Sequence, residues 1–143
     1  MTIVVAVDLS GVSRKMIAVV RRIPRATDTK IFLVHVAEPD PEFVGWAAGP
    51  NVVRDQFAAQ FKRERREVEA MAEELRADGI DAAGLVVQGP TIATILDEAE
   101  RCGADLLVVG SHGHGAAYDL TVGSVSTGVI RKAKVPVLVV PDR

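Results

Sequence analysis

The feature that most constrains the fold of this sequence is a series of five short apolar runs. Each run is separated from the next by a segment with helical periodicity. The first two runs, residues 3–7 and 31–36, are rich in β-branched residues, which is typical of strands buried on both faces. The other three runs are residues 85–87, 106–109 and 137–140. Their alternation with helices predicts an α/β fold with an open parallel sheet and helices on both faces.

Two of the predicted helices carry clear apolar faces. A turn and an N-cap around Ser10 precede apolar positions between residues 16 and 23, and Pro24 ends that pattern. A longer helix is predicted over residues 52–77, because its large apolar residues keep to one face. Those residues are Phe57, Phe61, Val68, Met71 and Leu75.

The remaining segments complete the alternation. One helix begins at Gly89-Pro90, and a short one covers residues 124–132. Residues 37–50 contain three prolines and two glycines around Trp46, which predicts a long irregular loop. Trp46 either packs locally or covers a ligand or partner, and the sequence leaves both interpretations open.

Composition agrees with one globular domain spanning residues 1–143. Hydrophobic residues make up 48% of the 143 residues and charged residues 25%, close to the globular average. A protein of this length buries enough surface to form a core without metals or disulfides. Disordered, collagen-like and coiled-coil classes are therefore excluded.

Charge and cysteine content indicate the environment in which the protein works. The formal net charge is −2, so no basic excess points to nucleic acid or to an anionic membrane. The single cysteine, Cys102, forms no internal disulfide, which fits a reducing compartment. The apolar run at residues 2–7 is too short for a signal sequence or a membrane span. We expect a cytoplasmic protein.

Binding residues are expected just after the strands. In open parallel sheets, ligands bind outside the carboxyl ends of strands, where the strand order reverses. The segments at this edge are Asp8, residues 36–38, residues 88–90, and the sequence from Gly110 onward.

The segment from Gly110 to Ser126 is the richest candidate. Its glycines let the backbone approach a ligand closely. The N–H groups of Ser124, Val125 and Ser126 begin a predicted helix, and such groups bind anions. The two serine hydroxyls add donors, so the segment predicts a phosphate cradle; the alternative is a connecting loop with an ordinary helix cap.

Other nucleotide and hydrolase motifs are absent from the sequence. There is no Walker A motif, and no Gly-x-Ser-x-Gly nucleophile elbow. A dinucleotide fingerprint fails because Tyr118 occupies the position of its third glycine.

The spacing Gly110-x2-Gly113-x9-Gly123-Ser124 resembles the nucleotide-binding signature of the universal stress protein (UspA-like) family, in its ATP-binding branch. Residues 5–10, 33–36, 103–110 and 135–140 extend the resemblance over nearly the whole sequence. The resemblance implies a five-stranded sheet of order 3-2-1-4-5, of the Rossmann-like, adenine nucleotide alpha-hydrolase-like type.

The family resemblance also implies roles for individual residues. Val7 and Asp8 contact the nucleoside, and the Val36 backbone recognises adenine. The ribose and phosphates are held by Gly110, Ser111, His112, Gly113, His114, Gly115, Gly123, Ser124, Val125 and Ser126. His114 stands where family members often carry Lys or Arg, which leaves phosphate charge less compensated and favours Mg²⁺ or Mn²⁺ as a partner of the phosphates.

The function that the resemblance implies is a stress-response regulator that binds ATP, or AMP or ADP. The resemblance also implies a homodimer formed through the edge strand Val137, Leu138, Val139 and Val140. Two alternatives stay open: an enzyme that slowly hydrolyses ATP or transfers its nucleotidyl or phosphoryl group, and a nucleotide-free interaction protein. No catalytic residue and no protein metal site is predicted.

Four further features have structural interpretations. Asp8 is expected to act as a cap or adenine-side acceptor rather than as a general base, and His35 as a hydrogen-bonded core residue. Cys102 is expected to fill the core, and residues 62–67 to form a solvated helix face. The His112-x-His114 pair has no clear third metal ligand.

Overall fold

The computed structural model describes residues 1–23, 28–37, 50–111 and 123–142, except for the side chains of residues 50, 51 and 53. Strands and helices alternate as predicted. In sequence order they are β1 (Thr2–Ala6), α1 (Gly11–Val20), β2 (Lys30–Ala37), α2 (Pro50–Ala77), β3 (Asp81–Gln88), α3 (Thr91–Arg101), β4 (Leu106–Gly110), α4 (Ser124–Lys132) and β5 (Val137–Val140). All neighbouring strands are parallel, in the order β3-β2-β1-β4-β5. The predicted sheet order is confirmed.

The sheet has a core on each face. On one face, α1 and α2 bury Met16 and Leu75 against alternate strand residues such as Ile3 and Leu33. On the other face, α3 and α4 bury Ile95 and other apolar residues against the intervening strand residues. Helices cover both faces of β1, β2 and β4, and these strands are therefore apolar at successive positions, as expected for a parallel sheet.

Two elements differ from the prediction by three or more residues at one end. Helix α1 ends at Val20, before Pro24, because the next residues tighten into a turn in which Ile23 N–H bonds to the Val20 carbonyl. Strand β3 begins at Asp81 rather than at residue 85. Its first half consists of small residues because α2 packs closely on it: a Cβ at Gly84 would lie 2.9 Å from Val68 Cγ1.

The strand order reverses between β1 and β4, because the chain runs outward from β1 to β3 on one side and from β4 to β5 on the other. Ala6, the last residue of β1, pairs with Val34 of β2 and with Val109 of β4. The backbone then leaves β1 for α1 on one face and leaves β4 for α4 on the other face. The carboxyl ends of these strands therefore border a crevice. Within the described ranges, no helix is long and apolar enough to cross a membrane.

Candidate functional site

A cavity of about 1000 Å³ lies at the carboxyl ends of β1, β2 and β4. This volume is at the upper end of the range usual for small-molecule sites. The structure brings eight of the predicted binding residues to its wall. They are Val7, Asp8, Val36, Gly110, Gly123, Ser124, Val125 and Ser126. His112, Gly113, His114 and Gly115 lie outside the described residues, as does Trp46.

Asp8 organises the turn between β1 and α1. Its Oδ1 atom accepts hydrogen bonds from the Ser10 N–H at 3.0 Å, the Ser10 hydroxyl at 2.5 Å and the Ser13 hydroxyl at 3.0 Å. Ser10 is the N-cap of α1, but its side chain makes no capping bond to the helix; its hydroxyl donates to Asp8. Asp8 is thus an acceptor that shapes the cavity rim; the cap of α1 is Ser10, and contact of Asp8 with adenine stays a prediction.

The start of α4 forms the opposite rim. Its N-cap is Gly123, which has no side chain to satisfy the first helical N–H groups. These groups have no acceptor within an α-helix, and the helix dipole adds partial positive charge. Ser124 and Val125 are exposed and line the cavity. This rim has the chemistry of an anion site.

Two predicted serines use their hydroxyls inside the protein. Ser126 is 4% exposed, and its hydroxyl donates to the Gly110 carbonyl oxygen. Because a hydroxyl has one hydrogen, this bond removes Ser126 Oγ as a donor to a ligand. Ser111 Oγ accepts from the Asp142 N–H at 3.1 Å. The Ser111 carbonyl accepts from Gly123 N–H at 2.7 Å, which joins the two ends of the segment 112–122. Both serines support the rim.

The backbone of Val36 faces the crevice. Val7 N–H donates to the Val34 carbonyl at 2.9 Å, so Val34 directs its polar groups toward β1. In a parallel ladder, alternate residues bond to the same neighbour. Val36 therefore directs its N–H and C=O to the β1 side, beyond the last strand pair of β1 at Ala6.

His35 is buried beside this edge, as expected for a hydrogen-bonded core residue. It is 8% exposed, and its Nδ1 lies 2.9 Å from the Val7 carbonyl oxygen. Its Nε2 lies 3.5 Å from Oε2 of Glu64 on α2. The imidazole thus connects all three elements, β1, β2 and α2, at the cavity wall.

The α2 wall of the cavity was not predicted. Residues 62–67 are mostly exposed, as expected for a solvated face, but Arg63, Glu64 and Glu67 line the cavity together with Gln60. Glu64 departs most from the expectation, since its side chain is only 16% exposed. The signal was present in the helical spacing. Glu64 lies seven residues after Phe57, on the apolar stripe itself.

Cys102 lies outside this site. It is half-buried and packs against the core formed with α3 and α4. Burial, and secondarily the nearby Glu98 carboxylate, raise the pKa of its thiol. Among the residues that the structure describes, no group of three or more His, Cys, Asp or Glu side chains is arranged to hold a metal ion.

Solved structures share this architecture. UspA from Lactobacillus plantarum superposes with a TM-score of 0.83 at 20% identity, covering 98% of this chain and 97% of that protein. A universal stress protein in complex with cAMP gives a TM-score of 0.67 at 24% identity, with coverages of 99% and 96%. The Archaeoglobus fulgidus universal stress protein in complex with dAMP gives 0.64 at 20% identity, with coverages of 97% and 96%. At these identities the likeness shows the fold.

Sequence comparison extends the likeness beyond fold. The model of the universal stress protein family matches residues 1–141. A universal stress protein of Thermus aquaticus, encoded in the 3′ region of a QAH/OAS sulfhydrylase gene, is 32% identical in an alignment of 145 positions that covers 97% of each protein. A match of this extent, to the family model and to a relative, identifies the family. The chain belongs to the universal stress protein family.

Proposed function

We propose that this protein binds ATP, or another adenine nucleotide, and acts as a homodimeric regulatory module in the cytoplasm. The observation that carries the proposal is a single cavity with two unlike ends. One end presents the backbone of Val36, and the other presents the exposed first turn of α4. A nucleotide has the same division, into a flat base and a row of anionic phosphates.

The base end favours adenine through its backbone. A backbone C=O accepts a hydrogen bond, and the neighbouring N–H donates one. Adenine carries an amino donor where guanine carries a carbonyl acceptor. The Val36 carbonyl is therefore matched to adenine and repels the corresponding guanine oxygen. Val7 and Asp8 lie next to this edge and complete the proposed nucleoside site.

The phosphate end uses backbone donors and the helix dipole. Gly123, Ser124 and Val125 place the first N–H groups of α4 at the cavity, and the Ser124 hydroxyl adds a donor. Gly110 and the segment 112–115 are proposed to contact ribose and phosphates, following the family signature. We propose that Mg²⁺ or Mn²⁺ accompanies the triphosphate, bound by phosphate oxygens, which prefer such hard cations.

The ligands of two solved neighbours support the class of nucleotide. The complexes with cAMP and with dAMP both contain an adenine base and a phosphate. Both proteins share the fold found here, so the same edge of the sheet is the proposed site in this protein.

The experiment is a thermal-shift series on the purified protein with ATP, AMP and GTP, each with and without Mg²⁺. We expect ATP and AMP to raise the melting temperature and GTP to raise it less, because only adenine matches the Val36 carbonyl. Equal shifts with ATP and GTP would mean that the phosphates alone are held. The absence of any shift would contradict nucleotide binding. Product analysis after overnight incubation with ATP then distinguishes a binding module from a slow hydrolase.

A further inference from the structure

A series of polar contacts runs along the cavity wall from α2 to the end of β1. Gln60 Nε2 donates to Glu64 Oε1 at 3.0 Å. Glu64 Oε2 lies 3.5 Å from His35 Nε2, and His35 Nδ1 lies 2.9 Å from the Val7 carbonyl oxygen. All four residues line the cavity. The contacts link α2 to β2 and β2 to the end of β1, so the series fixes three elements relative to one another.

The hydrogen positions follow from the chemistry of Val7. A carbonyl oxygen only accepts, so the His35 Nδ1 atom must carry the hydrogen of that bond. The Nε2 atom then faces the Glu64 carboxylate. Glu64 in turn has its other oxygen held by Gln60, so the carboxylate is oriented from both sides.

The His35 contact occurs where the β1–β2 ladder would continue. The last bond of this ladder runs from Val7 N–H to the Val34 carbonyl. In a parallel ladder, the next bond would run from Val36 N–H to the Val7 carbonyl. The imidazole of His35 donates to that carbonyl instead. Among the described residues, the backbone bond from Val36 N–H to Val7 is not formed, and the Val36 N–H lies at the cavity wall.

We propose that His35 and Glu64 are positioning residues that set base selectivity by holding the Val7 carbonyl away from Val36. The inference rests on the proposed function, in which the backbone N–H and C=O of Val36 bind the base. Neither residue needs to touch the nucleotide. Glu64 acts through His35, and His35 acts through Val7, so the effect of both appears in the preference for adenine over guanine.

Three substitutions at His35 separate its hydrogen bond to Val7 from its contact with Glu64. His35→Asn keeps a donor near the position of Nδ1 and loses the contact with Glu64. His35→Gln keeps a donor near the position of Nε2 and loses the bond to Val7. His35→Phe keeps an aromatic ring and loses both the hydrogen bond to Val7 and the contact with Glu64. On α2, Glu64→Leu removes the carboxylate, and Glu73→Gln is the matched control because Glu73 is an exposed acid of the same helix that does not line this cavity.

The measurement is calorimetric titration of each full-length variant with ATP, GTP and inorganic tripolyphosphate. We expect the ratio of ATP to GTP affinity to fall about threefold to tenfold in His35→Phe and His35→Gln, the effect of about one hydrogen bond. A smaller fall is expected in Glu64→Leu. His35→Asn is expected to retain most of the ratio, and Glu73→Gln all of it. Tripolyphosphate affinity is expected to stay constant throughout, because the phosphate end is untouched.

The outcomes distinguish this inference from the proposed function. If wild-type protein prefers ATP and His35→Phe keeps the same ratio while folding normally, the positioning role is overturned and the proposed function stands. If wild-type protein binds no adenine nucleotide, both fail. Imidazole ¹⁵N chemical shifts supply a ligand-free check: a hydrogen on Nδ1 is expected, and a neutral ring with its hydrogen only on Nε2 would overturn the assignment.

Discussion

The Val140 carbonyl oxygen accepts a hydrogen bond from the Ser111 N–H at 2.8 Å. The backbone polar groups of Val140 therefore face β4 and not the open edge of the sheet. The Pro136 carbonyl accepts from Leu107 N–H in the same way, four residues earlier. Alternate residues of β5 therefore bond to β4. The backbone polar groups of Val137 and Val139 face the open edge of the sheet, where the proposed dimer would form.

Val139→Pro is expected to convert the dimer to a monomer. Proline removes the outward N–H of Val139 while sparing the bonds that β5 makes to β4, and edge strands tolerate it. Sedimentation at tens of micromolar is expected to give twice the monomer mass of 15.3 kDa for wild type and the monomer mass for the variant. Val139→Thr, which keeps the N–H and the side-chain shape, is the control. A wild-type monomer would exclude the dimer.

Ser124→Ala and Ser126→Ala are expected to affect different properties, the first ATP affinity and the second stability. Ser124 is exposed at the cavity, so its substitution weakens ATP binding by about 0.5–1.5 kcal/mol, and by up to about 3 with a charged phosphate, without changing stability. Ser126 is buried and donates to Gly110, so its substitution lowers the free energy of unfolding by about 1–3 kcal/mol. Urea unfolding and calorimetric titration measure the two effects. These assignments would be contradicted if Ser124→Ala lost stability and Ser126→Ala did not.

Cys102 is expected to react slowly with iodoacetamide in the native protein. Burial and the Glu98 carboxylate raise the pKa of its thiol, so the thiolate fraction at pH 8 is smaller than in a free cysteine. Raising the pH is expected to increase the alkylation rate, and Glu98→Gln to increase it at pH 8. Glu100→Gln, an exposed neighbour on the same helix, is the control. A native rate equal to that of free cysteine would contradict the burial of the thiol.

Local patterns predicted the alternation of strands and helices and the start of α4, whereas the sheet order and the place of Val36 in the site came from the resemblance to the universal stress protein family. Apolar runs mark the buried strands, and Gly123-Ser124 marks the start of α4. The first half of β3 was missed since Ala82, Ala83 and Gly84 carry no β-branched signal. Their small size reflects the close packing of α2, which is a tertiary constraint.

Side-chain partners were harder to predict than positions. Ser126 lines the cavity, but the bond of its hydroxyl to Gly110, in place of a ligand, depends on how α4 docks beside β4. Glu64 was assigned to a charged, solvated segment although its spacing puts it on the inner stripe. Its contact with His35 joins residues 29 positions apart, and no local pattern specifies it.

The first turn of α4 is central to the proposed function, because it is the part of the cavity that would hold the phosphates of an adenine nucleotide. The most direct measurement is calorimetric titration of ATP into wild type, Val125→Asp and Val125→Asn. Val125 is exposed at the cavity, and an acidic residue in the first turn favours the helix, so the aspartate repels phosphate without destabilising the fold. We predict saturable ATP binding in wild type, an affinity lower by about tenfold or more in Val125→Asp, and near wild-type affinity in Val125→Asn. Wild-type affinity in Val125→Asp, with an unchanged melting temperature, would contradict a phosphate site at this turn.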